Sequence, residues 1–193
     1  MANVDKAYGL RPLGNLSATG AQKQYGYQIA DNQSGAIYQG DLVTLAAGYI
    51  VKYVAASHTT AIGVFNGCYY VDPTTGKPTW KNFYPGSVNS TSGTIEADVI
   101  DDPNQLIVVQ ADEDIVQSDM GQNAEITTST TGSTINGLSN MELDSSTIGT
   151  GSTLVLKIVG KYDVPGNALG ENFTQVVVKI NCHSYGSVGT PGE

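Results

Sequence analysis

Charge is scarce in this chain: Asp, Glu, Lys and Arg together make up 14% of its residues, against roughly 25% in an ordinary soluble domain. Positive charge is scarcer still, with nine Lys and Arg against eighteen Asp and Glu, a formal net charge of −9. So few bases exclude nucleic acid as a partner, because neutralising phosphates takes Lys and Arg gathered on one face. Cysteine is limited to Cys68 and Cys182, too few for a disulfide scaffold, and in a reducing cytosol both are expected to be free. No apolar run approaches the roughly 18 residues with which a helix crosses a bilayer, so no membrane partner is expected. Met1–Lys6 leads into no apolar stretch of the signal-peptide kind. No helix-length segment repeats its apolar positions every 3.6 residues, which excludes a helical bundle.

What is present is short, β-branched and regularly interrupted. The 193 residues are enough for one domain with a proper core. Apolar β-formers cluster in Asp41–Leu45, Tyr49–Val54, Ala61–Phe65, Cys68–Val71, Leu106–Gln110, Leu154–Val159 and Phe173–Ile180. Branching at Cβ restricts χ1 in a helix and packs well on a pleated surface. The near-continuous branching of Val176–Ile180 predicts a strand buried on both faces. Asp72–Pro78 carries Pro73 and Gly76 where a hairpin tip needs a preset φ and a positive φ. Asn66-Gly67 fits either a two-residue turn or a bulge. Asp101–Asn104 and Val164–Asn167 mark two further loops. The pattern predicts an all-β fold, a β-sandwich, jelly roll or small β-barrel. Residues 1–24 scatter isolated apolar side chains among Gly, Pro and Asn and read as an extended N-terminal arm that needs another surface to lie on. Residues 25–183 form the body and 184–193 a flexible tail. Thr127–Ser152, rich in Ser, Thr, Gly and Asn, is either a long polar loop or a pair of exposed strands.

Sorted by position, eleven of the carboxylates and none of the bases fall between Glu96 and Leu156. The arm is mildly basic, with Lys6, Arg11 and Lys23 against Asp5. Such asymmetry predicts two surfaces with different roles, an acidic one turned outward and a basic one turned toward a partner. The acids Asp112, Asp114 and Asp119 are the candidates for a hard cation such as Ca²⁺, though the spacing of an EF-hand loop is missing. Cys68, Cys182, His58 and His183 have the residue types of a zinc site, but adjacent strand residues point to opposite faces, so Cys182 and His183 cannot both ligate from one strand. No Gly-x-Ser-x-Gly occurs and no Gly-rich stretch carries the Lys of a phosphate loop. The expectation is a non-enzyme without a cofactor or metal.

Aromatic residues are the stronger clue. Eight of the eleven tyrosines, with Trp80 and Phe83, crowd residues 25–84 in the first half of the chain. An apolar ring with a polar tip suits both protein interfaces and carbohydrate-binding faces, and it also packs across strands. The Trp80–Gly86 stretch is the most interface-like.

Ala7–Gly14 (AYGLRPLG) resembles the openings of small structural proteins of tailed bacteriophages. Ile37–Leu45, with its Gly-Asp-x-Val turn, and Ala61–Gly67 are similar to phage head-decoration proteins, and Val176–Asn181 fits more loosely. The resemblance implies a capsid decoration, or cement, protein made in the host bacterial cytoplasm and carried on the exterior of the virion. Its partners would be the major capsid protein and neighbouring copies of itself, arranged as a homotrimer. Tyr8, Leu10, Arg11, Leu13 and Leu16 of the arm, with Trp80, Phe83 and Tyr84, are the candidate capsid-interface residues. A carbohydrate-binding module and a tail or baseplate protein are the competing readings.

Overall fold

A computed structural model describes residues 3–16, 23–90, 93–127, 132–186 and 189–193. Among them, twelve strands form two antiparallel six-stranded sheets. In sheet one the order is β1 (Arg11–Asn15), β8 (Gln105–Gln110), β12 (Gln175–Ile180), β11 (Leu156–Lys161), β9 (Asn123–Ile126) and β10 (Leu143–Gly149). In sheet two it is β2 (Lys23–Ile29), β7 (Ile95–Ile100), β5 (Gly63–Val71), β3 (Leu42–Ala46) and β4 (Tyr49–Lys52), with β6 (Pro78–Lys81) also paired to β5. The nine-residue β5 serves two partners on one edge: its first residues pair β3 and its last four pair β6. The fold is the predicted all-β class.

Alternation along the strands builds the core between the sheets. Ile107, Val109, Val176, Val178, Leu156, Ile158, Ala124 and Ile126 point inward from sheet one and meet Leu42, Tyr53, Ala61 and Val64 from the other side. A second cluster lies on the far face of sheet two. There Val43, Phe65, Cys68, Tyr70, Ala97 and Val99 are covered by Ile37, Tyr84 and Val88 from two loops. Those loops are locked by the Ile37–Tyr84 bridge and by the Tyr84 hydroxyl, which donates to the Gln33 carbonyl at 2.9 Å and accepts from Val88 N at 3.2 Å. Sheet two is therefore buried on both faces over much of its area. Burying apolar side chains at roughly 25 cal/mol per Å² on two faces is what lets so uncharged a chain hold a fixed core.

Turn chemistry worked as expected at Asp72–Pro78. Asp72 N donates to the Lys77 carbonyl, its carboxylate accepts from Thr74 N and Thr75 N, both at 2.9 Å, and Gly76 takes φ 65°. Those backbone donors hold the Asp72 carboxyl below its ordinary value. Asn66-Gly67 is the bulge of its two alternatives: both residues lie inside β5, where the register against β7 slips between Phe65 and Gly67.

Four expectations are corrected. The part of the arm at residues 3–16 does not need a foreign surface, residues 1–2 and 17–22 lying outside the described residues: Leu10 is 2% exposed in the central core, and β1 pairs with β8. Asn3 Nδ2 also donates to Ala168 O, Lys6 N donates to Gln110 Oε1, and the Tyr8 hydroxyl donates to Gln175 Oε1. The scattered apolars of this stretch work because the edge strand spaces them, burying one and leaving others out. Residues 189–193 are likewise tied back, with Thr190 O accepting from Asn123 Nδ2 at 2.7 Å and Pro191 O from Lys157 Nζ at 2.9 Å. Val176–Ile180 alternates between partly exposed and buried positions, because sheet one has a core on one side only. Of Thr127–Ser152, residues 128–131 lie outside the described residues, 132–142 are loop, and β10 contributes Leu143 to the core.

Candidate interaction surface

The predicted interface residues fall in two places. Tyr8, Leu10, Arg11, Leu13 and Leu16 belong to the segment running into and along β1, the terminal strand of sheet one. They part company along the segment: Leu10, just before β1, goes to the core, while Leu13 within it is 44% and Leu16 just after it 57% exposed. The Arg11 guanidinium carbon lies 5.2 Å from the Tyr8 ring centre and 5.8 Å from that of Tyr162, within cation–π range. Burial pushes the Tyr8 hydroxyl up to about 12. Beneath this segment is an apolar cavity of about 330 Å³ lined by Leu10, Pro12, Val64, Phe65, Ile100 and Leu138, with Arg11 at its margin. Leu10 itself is no surface residue and cannot touch a partner.

Trp80, Phe83 and Tyr84 belong to sheet two and its covering loop. Tyr84 is a core residue, 0% exposed, which corrects its assignment to an interface. Phe83 is half-buried and stacks on Tyr38 with ring centres 5.7 Å apart. Trp80 is 56% exposed on β6. Most of the tyrosines that crowd the first half are packing residues: Tyr27, Tyr38, Tyr53 and Tyr70 are buried with Tyr84. A strand needs large flat side chains inside as much as a partner needs them outside, and the sequence carries no mark that separates the two uses.

The acidic segment does not form one outward face. The chain crosses from sheet two to sheet one between β7 and β8 and so distributes it over both: Glu96 and Asp98 lie on β7, Glu125 on β9 and Asp144 on β10. Asp98 is buried and accepts from Asn66 Nδ2 at 2.7 Å. The cation candidates are used locally instead. Asp112 Oδ1 accepts from the Ser145 amide at 3.0 Å and from its hydroxyl, Asp119 Oδ2 accepts from Val116 N at 2.8 Å, and Asp114 is exposed. Among the described residues, no three His, Cys, Asp or Glu side chains come together as a metal would require. Cys68 and Cys182 are both free and buried. His58 Nδ1 accepts from Val54 N at 2.9 Å, while His183 is buried, which lowers its pKa, and its Nδ1 accepts from Tyr185 N at 3.0 Å. The Gly-Asp turn also serves the fold. Asp41 Oδ2 accepts from Tyr38 N at 2.8 Å and lies 3.7 Å from Lys52 Nζ.

One arrangement was not legible in the sequence. Tyr69 on β5 stands opposite both Trp80 on β6 and Glu96 on β7, and all three are exposed. Sequence distance gave no sign of this, because it depends on which edge of β5 each neighbour takes. Comparison with protein-family models, with curated proteins and with solved structures finds no match.

Proposed function

We propose that the chain is a structural protein of a tailed-bacteriophage virion that binds the outer surface of the head and cements neighbouring major capsid protein subunits. The observation that carries this reading is β1: a terminal strand, fixed to the body along one edge, that presents Leu13 and the ring-flanked Arg11 to solvent, with exposed Leu16 just after it. A strand with an open edge is a template for an extended segment of another chain. Exposed leucines beside it supply apolar area, and Arg11 supplies a cation for an acidic patch on the shell. Because β1 is ordered before binding, attachment does not bear the entropic cost of folding an arm. Many copies on a symmetric shell, grouped as trimers, multiply a modest contact into lasting retention. No described helix is long and apolar enough to cross a membrane.

The test uses expanded heads purified without this protein. Leu13→Asp/Leu16→Asp and Arg11→Glu are to be compared with the natural chain by co-sedimentation. Each is expected to weaken binding by about tenfold or more, equivalent to roughly 1.4 kcal/mol, while melting temperatures stay close to the natural value. Undiminished occupancy by both variants would refute the attachment surface. Deleting residues 1–20 is no substitute for these substitutions, since it also removes Leu10 from the core.

A further inference from the structure

We propose a second site, on the end of sheet two that extends past sheet one: a binding cleft for neutral oligosaccharides. The register aligns Trp80 with Tyr69, Tyr69 with Glu96, and Glu96 with Gln28, so these four side chains form one row across β6, β5, β7 and β2. All four are exposed. The same face of β7 is buried at its other end, where Ile100 and Asp98 are 8% and 6% exposed. Burial on this face therefore ends between Asp98 and Glu96. The N-terminal segment lies beside Ile100, and Asn66 beside Asp98; the aromatic row begins beyond them.

Between Tyr69, Trp80, Glu96 and Asp98 lies a cleft of about 310 Å³, at the small end of the range for small-molecule sites. Gly67 shapes it. A Cβ at that position would come within 2.8 Å of Trp80 Cζ2, so the missing side chain lets the indole rest against the strand and keep its other side open. The polar wall is positioned in advance. Asp98 accepts from Asn66 Nδ2 at 2.7 Å, Asn66 Oδ1 accepts from Gln39 Nε2 at 3.1 Å, and Asn82 Nδ2 donates to Asn136 O at 2.8 Å and to Gln39 Oε1 at 3.4 Å. A run of amides thus orients a nearly buried carboxylate at the cleft.

This chemistry selects the ligand. Two ring faces offer apolar surface to the C–H side of a pyranose. The exposed Glu96 carboxylate offers strong acceptors to its hydroxyls, and the nearly buried Asp98 carboxylate adds its charge beside it. They also repel an acidic sugar or a phosphate, and the nearby base does not offset them: Lys81 points to the opposite face, its Nζ 5.7 Å from the Phe83 ring centre. Rings and carboxylates together also attract cations. A cation cage, however, needs rings that face each other, and Trp80 and Tyr69 are cross-strand neighbours on a pleated surface with the indole leaning toward Gly67.

Trp80 is the single tryptophan, so its emission reports directly on the cleft. The full chain is to be titrated with maltohexaose, cellohexaose, chitohexaose and mannohexaose, followed by tryptophan emission and by calorimetry. The expected result is saturable binding of at least one of these sugars that persists in ~0.5 M NaCl, where exposed charge pairs are screened. Tyr69→Ala, which removes a stacking ring, and Glu96→Gln, which removes a charged acceptor, should each weaken it by about tenfold. Leu13→Asp/Leu16→Asp should leave it unchanged, which separates this site from head attachment. No binding of any of the four sugars up to ~10 mM would overturn the proposal. So would sugar binding that survives Tyr69→Ala and Glu96→Gln intact, or binding of a lysine-rich peptide in place of the sugars that disappears in high salt.

Discussion

Replacing Leu10 by alanine separates the structural role of the N-terminal segment from its role at a surface. Leu10 is 2% exposed and packs among Leu42, Val64 and Ile107 between the sheets. Removing a buried leucine to its Cβ typically costs about 2–5 kcal/mol, the spread reflecting how far the site can collapse. Leu10 also lines the cavity of about 330 Å³ under the segment, which opens to solvent at its margin, so water can occupy part of the vacated space. The cost expected here is about 2–4 kcal/mol. In a domain of this size each kcal/mol lowers the melting temperature by roughly 2–4 °C, so the predicted drop is ~4–16 °C. Leu13→Ala and Leu16→Ala, on the exposed side, should each stay within about 0.5 kcal/mol. Urea unfolding followed by far-UV circular dichroism measures this as a shift of midpoint at constant slope. A Leu10→Ala variant that unfolds at the same urea concentration as Leu13→Ala would show that the segment is not part of the core.

A methyl group at Gly63 would run into the backbone carbonyl of Ile100, so Gly63→Ala must force β5 and β7 apart and is expected to cost about 3 kcal/mol or more. Gly14 has nothing within 4 Å of an added Cβ, and Gly14→Ala should be neutral or stabilising by about 0.4–1 kcal/mol through the unfolded chain; similar denaturation midpoints for the two variants would contradict the packing at Gly63. Cys68 and Cys182 are 1% and 7% exposed, and burial pushes the Cys68 thiol up to about 12. The native protein should therefore resist a thiol-specific disulfide reagent that modifies both residues in urea, and rapid reaction of the folded chain would show an open core. Burial raises the Asp41 carboxyl above its ordinary value of 3.8, against the pull of Lys52. The folded state then holds this proton more tightly than the unfolded state, so Asp41 favours folding at low pH and loses that contribution as pH rises past its ordinary value. Relative to Asp41→Asn, the natural chain should lose stability between about pH 4 and neutrality, and a relative gain over that range in urea titrations would reverse the sign.

The sequence by itself determined the class of fold and much of its punctuation. β-branched runs of strand length have no comfortable helical alternative, and Asp72–Pro78 carries its own turn in its φ preferences and its carboxylate. The β-bulge at Asn66-Gly67 was half legible: the residues marked an irregularity, and the pairing of Phe65 with Val99 and of Gly67 with Asp98 settled which kind. Of the candidate interface, composition identified the right residue types without sorting them. Tyr84 and Trp80 sit four residues apart in one aromatic stretch, yet the first is 0% and the second 56% exposed. That difference comes from a loop folding back over sheet two, which no local pattern encodes.

Only the tertiary structure decided which edge and face each strand presents. It turned a stretch that reads as a loose arm into an edge strand, since a lone leucine every few residues gains burial once a neighbouring ladder fixes its direction. It also dispersed the acidic segment, because the chain passes from sheet two to sheet one between β7 and β8. And it brought Trp80, Tyr69, Glu96 and Gln28, from four strands, into one exposed row. Local propensity acts within a few residues and makes strands; pairing and layer contacts act across the chain and make surfaces.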